Sequence, residues 1–291
     1  MNEAGKNLRK KKSVQRKEIW RRLCKNKLAM VGLVIITIFI LVAIFADVIA
    51  DYEGLALQMT RDRLQSPSAE HWFGTDVVGR DIFARVVHGA RISLSIGVAV
   101  TALSLVIGGL LGGISGYFGG KTDEIIMRIM DALMCIPAIL LALAIIAALG
   151  TTIPNLLIAI TIASVPGFTR IIRSVVLTVT GQEYIEAARS CGMSAMGIIV
   201  KHVLPNAMGP IIVQGTMAVA SMILAAAGLS FIGMGIQPPQ PEWGAMLSDA
   251  SAHMRHHPYL VVFPGLAIVL AALSLNLLGD GLRDALDPKL K

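Results

Sequence analysis

The chain has 291 residues, of which 55% are hydrophobic and only 15% charged, with a formal net charge of +7. A soluble domain normally carries about 25% charged residues, so an ordinary water-soluble enzyme or binding module is excluded. Apolar runs of about 20 residues, enough to cross a ~30 Å hydrocarbon core, recur at 28–50, 90–117, 127–149, 153–176, 206–236 and 258–280. The predicted fold class is an all-α polytopic membrane protein with six transmembrane helices.

The charge is unevenly placed. Residues 1–27 form a tail in which eleven Lys or Arg, from Lys6 to Lys27, face only Glu3 and Glu18. By the positive-inside rule this tail is cytoplasmic. A basic arm also suits nucleic acid, but such arms are not normally fused to an immediate membrane span. The first span, 28–50, is too long for a signal-peptide core of about 7–15 residues and reads as a retained anchor. Six spans return the C-terminal tail, 282–291, to the cytoplasm. Cys24, Cys135 and Cys191 form no CxxC pair, and all fall on the reduced, inner side.

Residues 51–89 are the longest outer loop. Gly74-Thr75-Asp76 suits an Asx turn. Asp81 and Arg85, at i, i+4, and the apolar strip Ile82, Phe83, Val86 and Val87 predict a short helix lying in the membrane interface. A core of five spans, 90–281, follows. GGLLGGISGYFGG, which ends the second span, has glycines spaced by three and four, the pattern that lets membrane helices approach closely. Gly120-Lys121-Thr122 copies the end of a phosphate-binding loop, but Ser115 replaces its first glycine and an apolar helix precedes it instead of a strand. The third and fourth spans make a hairpin about Gly150–Pro154, with Arg128 in helical reach of Asp131.

The inner loop 177–205 is the most distinctive polar stretch. Tyr184, Ala187, Ala188 and Cys191 share one helical face. Gly192 supplies a positive φ to stop that helix, Ser194 caps a second short one, and Pro205 and Asn206 close the unit. The outer loop 237–257, QPPQPEWGAMLSDASAHMRHH, places Trp243 and Met246 against the membrane or a neighbouring helix. His253, His256 and His257 are its candidate metal ligands, at spacings that can share an ion, although outer histidines are commonly just solvated.

What is missing is also informative. No Asp, Glu, Lys or Arg lies near a span centre, where a charge costs about 2.5–3.5 kcal/mol. Gln214 and Asn276 are the notable polar side chains there. This argues against a proton- or sodium-coupled carrier or a self-powered pump, and with no HExxH or GxSxG pattern no membrane enzyme is expected. The alternatives that remain are a standalone channel or carrier, or a subunit driven from outside.

The loop's EAARSCG followed by HVLPN resembles the EAA loop of importer-type ABC transporter permeases. Glu186, Ala187, Ala188, Gly192, Leu204 and Pro205 match its pattern, whereas His202 stands where the family has isoleucine. FGTDVVGRDIFARVVHGARISLSIGV, GLSFIGMGIQPPQPEWGAMLSDA and NLLGDGLRDALDPKLK are similar to the C-type subunits of the dipeptide, oligopeptide and nickel group. The resemblance implies a permease subunit, not an enzyme and without a cofactor of its own, in the cell membrane. It implies a sister permease sharing the pathway, two cytoplasmic ATP-binding subunits and an extracytoplasmic substrate-binding protein. It also implies that Tyr184, Glu186, Ala187, Ala188, Gly192, Leu204 and Pro205 seat a coupling helix on an ATPase subunit. Peptides are the implied cargo, with glutathione or nickel and its chelates as alternatives.

Overall fold

The computed structural model describes residues 17–57 and 62–286, and those residues are helical or lie in turns and irregular loops apart from one isolated bridge between Thr75 and Asp81. Among these residues, five helices are individually long and apolar enough to cross a membrane, and a bent pair brings the number to six if it crosses as one broken span.

The first span, α1 (Lys27–Ile44), starts where the Asn26 side chain accepts the Ala29 N–H at 3.1 Å. A short turn of helix at Ala46–Ile49 and a π-helical turn at Tyr52–Leu57 lead away from it. The second, α2 (Ile82–Phe118), has 37 residues. At about 1.5 Å per residue that exceeds the membrane core, so its first turns stand clear of the bilayer. The expected interfacial helix is therefore not separate but forms the base of α2. Its opening charges also pair differently. Asp81 caps α2 by accepting the Ala84 N–H at 2.8 Å and faces His71 at 2.8 Å, while Arg85 is fully buried with its nearest carboxylate, Asp76, at 3.7 Å. Despite their i, i+4 spacing, Asp81 and Arg85 are thus two separate buried anchors.

These belong to a polar cap over one end of the bundle. Asp76 makes the expected turn, its Oδ1 accepting the N–H groups of Val78 and Arg80, both at 2.9 Å. Its Oδ2 binds Arg80 Nε at 2.6 Å, and Arg80 Nη2 reaches Asp249 at 3.2 Å. Arg80 is thereby the rivet between the loop before α2 and the later helix α8 (Trp243–Ala250). Glu242 caps α8 through the Ala245 N–H at 2.8 Å and takes a hydrogen bond from Ser93 at 3.2 Å. Trp243 and Met246 pack inside the protein, not against lipid, and the indole donates to the Val86 carbonyl at 3.0 Å. Nearby, Arg91 binds Asp47 at 3.0 Å and holds that carboxyl below its ordinary pKa.

The third apolar run is not one rod. It is α3 (Gly120–Met134) and α4 (Ala138–Leu149), bent by 83° at the break. Pro137 is the physical cause: it lacks an N–H and disfavours helical backbone at Ile136 before it. The hairpin at Gly150 is as expected, closed by the Asn155 amide donating to the carbonyls of Leu149 (2.6 Å) and Gly150 (3.0 Å).

The span α5 (Ile153–Thr180) runs parallel to α2 with backbones in contact. A Cβ added at Gly108, Gly112 or Gly116 would lie 2.7 Å from Phe168 Cβ, 2.5 Å from the Thr169 carbonyl or 2.9 Å from the Arg173 carbonyl. The spaced glycines are therefore the condition for this approach. Asp131 pairs with Arg170 of α5, not with Arg128, and Arg173 binds Asp123 with two contacts of 2.5 Å. Two ion pairs thus tether α3 to α5.

Candidate functional site

At the end of the bundle opposite the cap, α5 runs into a knuckle. After Gly181 and Gln182 comes α6 (Glu183–Ser190), then a turn of helix at Ala195–Ile198, a π-helical turn at Ile199–Val203 and α7 (Leu204–Phe231). Gly192 takes φ +77°, which lets the chain reverse after α6. Ser194 accepts the Gly197 N–H at 3.2 Å, the cap that the sequence predicts.

The knuckle's apolar face differs from the expected one. Ile185, only 1% exposed, and half-buried Ala188 point inward onto Ile198, Val203 and the last turns of α5 at Val176 and Val179. Tyr184 (43% exposed), Ala187 and Cys191 stay outside. The helix therefore has an inner seat and an outer face, and the four-residue stripe read from sequence straddles them. Glu183 and Glu186 project outward and form no ion pair with any described residue. Leu204 and Pro205 are exposed at the start of α7, and His202 stacks at a tilt on Tyr184 with ring centroids 6.1 Å apart. The structure thus gathers Tyr184, Glu186, Ala187, Gly192, Leu204 and Pro205 at one end of the bundle, with Ala188 beneath them.

A second feature lies deeper. An open cavity of about 520 Å³ sits between the α3–α4 bend, α5, α7 and the last span α9 (Tyr259–Leu286). Its wall carries Ser164, Gln214, Ser221 and Asn276 among methionines and aliphatic groups, and no ionisable side chain. The two amides that sequence singles out at distant positions are therefore brought to one hollow. Hydropathy could not show that Ser164 and Ser221 join them. The histidines of the cap, by contrast, do not converge. His257 turns to the Tyr259 hydroxyl at 3.4 Å, and no three His, Cys, Asp or Glu among the described residues form an ion-binding group.

Residues 108–291 match the family model described as "Binding-protein-dependent transport system inner membrane component", and residues 15–67 match "N-terminal TM domain of oligopeptide transport permease C". The chain is 51% identical over 275 residues to a dipeptide transport system permease protein, DppC, of Alkalihalophilus pseudofirmus, spanning 94% of this chain and 90% of that one. It is 48% identical over 274 residues to a glutathione transport system permease protein, GsiD, of Escherichia coli, with the same coverage of 94% and 90%. Its fold is similar to a chain of the inward-facing MetNI methionine ABC transporter, with a TM-score of 0.57 and 19% identity over 70% of this chain and 96% of that one. The chain belongs to the binding-protein-dependent transport system inner membrane component family and is a permease of an ATP-driven importer.

Proposed function

We propose that this permease is one of two sister subunits that import short peptides, and that partner ATPases drive it through the knuckle. The outer face of α6 carries the reading. Ala187 and Cys191 make a low surface beside Tyr184 that a groove on another protein can approach closely, and Glu183 and Glu186, unpaired among the described residues, can take charge-assisted hydrogen bonds there. Because Ile185 and Ala188 pin α6 onto α5, Ile198 and Val203, a push on that face moves two long spans together. Gly192 sets the angle between the knuckle's two halves, and Leu204 and Pro205 form the joint with α7.

Power from outside fits the apolar span centres, which hold no coupling charge. The basic tail puts the knuckle and both termini in the cytoplasm. The cap then faces outward, where an extracytoplasmic binding protein would deliver cargo. The relatives named for dipeptide and glutathione transport carry peptide-bonded solutes, so a short peptide is the cargo common to both. The hollow beside the α3–α4 bend is this subunit's share of the pathway.

The test is peptide uptake into proteoliposomes holding both permeases and both ATPases, with binding protein added. Glu186→Lys is expected to abolish ATP-driven uptake while the sister permease still co-purifies with the variant. Gly192→Pro is expected to do the same, since proline cannot adopt the positive φ. Full uptake by either variant at matched expression would overturn the coupling role.

A further inference from the structure

Many hydroxyls within the spans are satisfied by their own helix. The hydroxyls of Thr37, Thr169, Thr178, Thr216 and Ser274 each donate to a carbonyl three or four residues earlier in their own helix. They need nothing from outside. Gln214, Ser221 and Asn276 do not behave this way, having no hydrogen-bond partner among the described residues. Ser164 has only the Met222 thioether, 3.3 Å from its hydroxyl, and sulfur is a weak acceptor. Facing hydrocarbon, two unpaired carboxamides would each cost several kcal/mol. All four side chains instead lie on the wall of one open hollow of about 520 Å³, within the ~300–1,000 Å³ range of small-ligand sites. Thr101, Ser104 and Thr161 also lack partners, but they are buried and off that wall.

We infer that Gln214 and Asn276, assisted by Ser164 and Ser221, are the specificity-determining contacts of this subunit, and that they read the peptide bond of the passing solute. The inference rests on the peptide reading above. A carboxamide offers both a C=O acceptor and N–H donors, the complement of a peptide group's N–H and C=O. The wall carries no His, Cys, Asp or Glu to hold a metal ion and no charge to hold a peptide terminus. Neutral hydrogen bonds of modest net strength suit a site that must release what it binds.

The experiment uses the complete reconstituted transporter and two probes: the dipeptide alanyl-alanine and its depsipeptide, in which an ester oxygen replaces the amide N–H. Wild type is expected to take up the dipeptide in preference to the ester. Of Gln214→Leu and Asn276→Leu, the one that removes the acceptor of that N–H is expected to narrow the preference by about five- to tenfold, the scale of one lost hydrogen bond, while the other, which removes a donor to the C=O, lowers uptake of both probes. Gln214→Asn should restore part of what Gln214→Leu loses. Separately, Ser221→Cys in a chain with Cys24, Cys135 and Cys191 changed to Ser should react with a small hydrophilic maleimide, and saturating dipeptide should slow that reaction. Equal losses for both probes in both leucine variants would overturn the inference, as would a preference unchanged in both with uptake intact. Loss of the sister permease from the Asn276→Leu complex would make the amide an inter-subunit contact and overturn it too. If wild type moves neither probe, the peptide reading itself falls and this inference with it, whereas wild-type uptake with unmoved variants sinks the inference alone.

Discussion

The α2–α5 seam and the α3–α4 pair both draw on apolar runs of the sequence and reach opposite ends. In the seam, glycines at every fourth position fall on one face and bring two backbones into contact over about two helical turns. In the bent pair only Met130, Ala142 and Ile146 are buried, while Ile139 and Leu140 are 51% and 53% exposed. Its α3 limb is tied to α5 by the side-chain pairs of Asp123 and Asp131. The seam is therefore a fixed wall, and the bent pair borders the cavity on one side and presents an open apolar surface on the other. Hydropathy places both in a membrane. Only the face on which the small residues fall separates the element packed within this chain from the one left for another surface.

The largest expected effect tests the seam. Gly112→Leu puts a side chain where even its Cβ lies 2.5 Å from the Thr169 carbonyl, so α2 and α5 must separate. Overpacking costs about 1–3 kcal/mol or more, and the folded species should be largely lost from the size-exclusion profile in mild detergent. Gly113→Leu, with nothing within 4 Å of the added Cβ, should keep that profile. Equal behaviour of the two would break the distinction between the faces.

Arg173→Ala should have a smaller effect, about 1 kcal/mol for a partly exposed, two-contact pair, and should loosen α3 more than it destabilises the bundle. Spin labels at 125 on α3 and 178 on α5 would show a broadened distance distribution. An Asp123→Arg, Arg173→Asp exchange should narrow it again, and a distribution unmoved by Arg173→Ala would mean that packing, not charge, holds α3. Ile139→Ala should change thermal stability of the isolated chain by about 0.5 kcal/mol or less, as exposed positions do. A loss as large as that of Gly112→Leu would show that α4 packs within its own chain.

Much of the knuckle was readable because its signals are local. A glycine at Gly192 permits a positive φ, and Ser194 satisfies a free N–H three residues ahead whatever the rest of the chain does. Its polarity was harder to read. Tyr184, Ala187 and Cys191 resemble an inward stripe, yet Ile185 took the seat, because the apolar surface offered by Val176, Val179, Ile198 and Val203 decides which side of a short helix turns in. The cap shows the same limit. Asp81 and Arg85 have helix-pair spacing, but Arg85 points into a buried layer with Asp76 and Asp81 is taken by the α2 N-terminus and His71.

The sequence alone determined the membrane class, the six apolar segments, the glycine stripe, the Ser194 cap and the loop whose motif resembles the permease family. Each depends on neighbours within about one or two helical turns, or on a segment's own transfer into lipid. Tertiary structure alone decided that Arg80 joins the loop before α2 to α8. It also decided that Gln214 and Asn276, 62 positions apart, share a hollow. Those outcomes depend on which helix faces become neighbours, and hydropathy, summed along a single helix, carries no information about the partner across the gap.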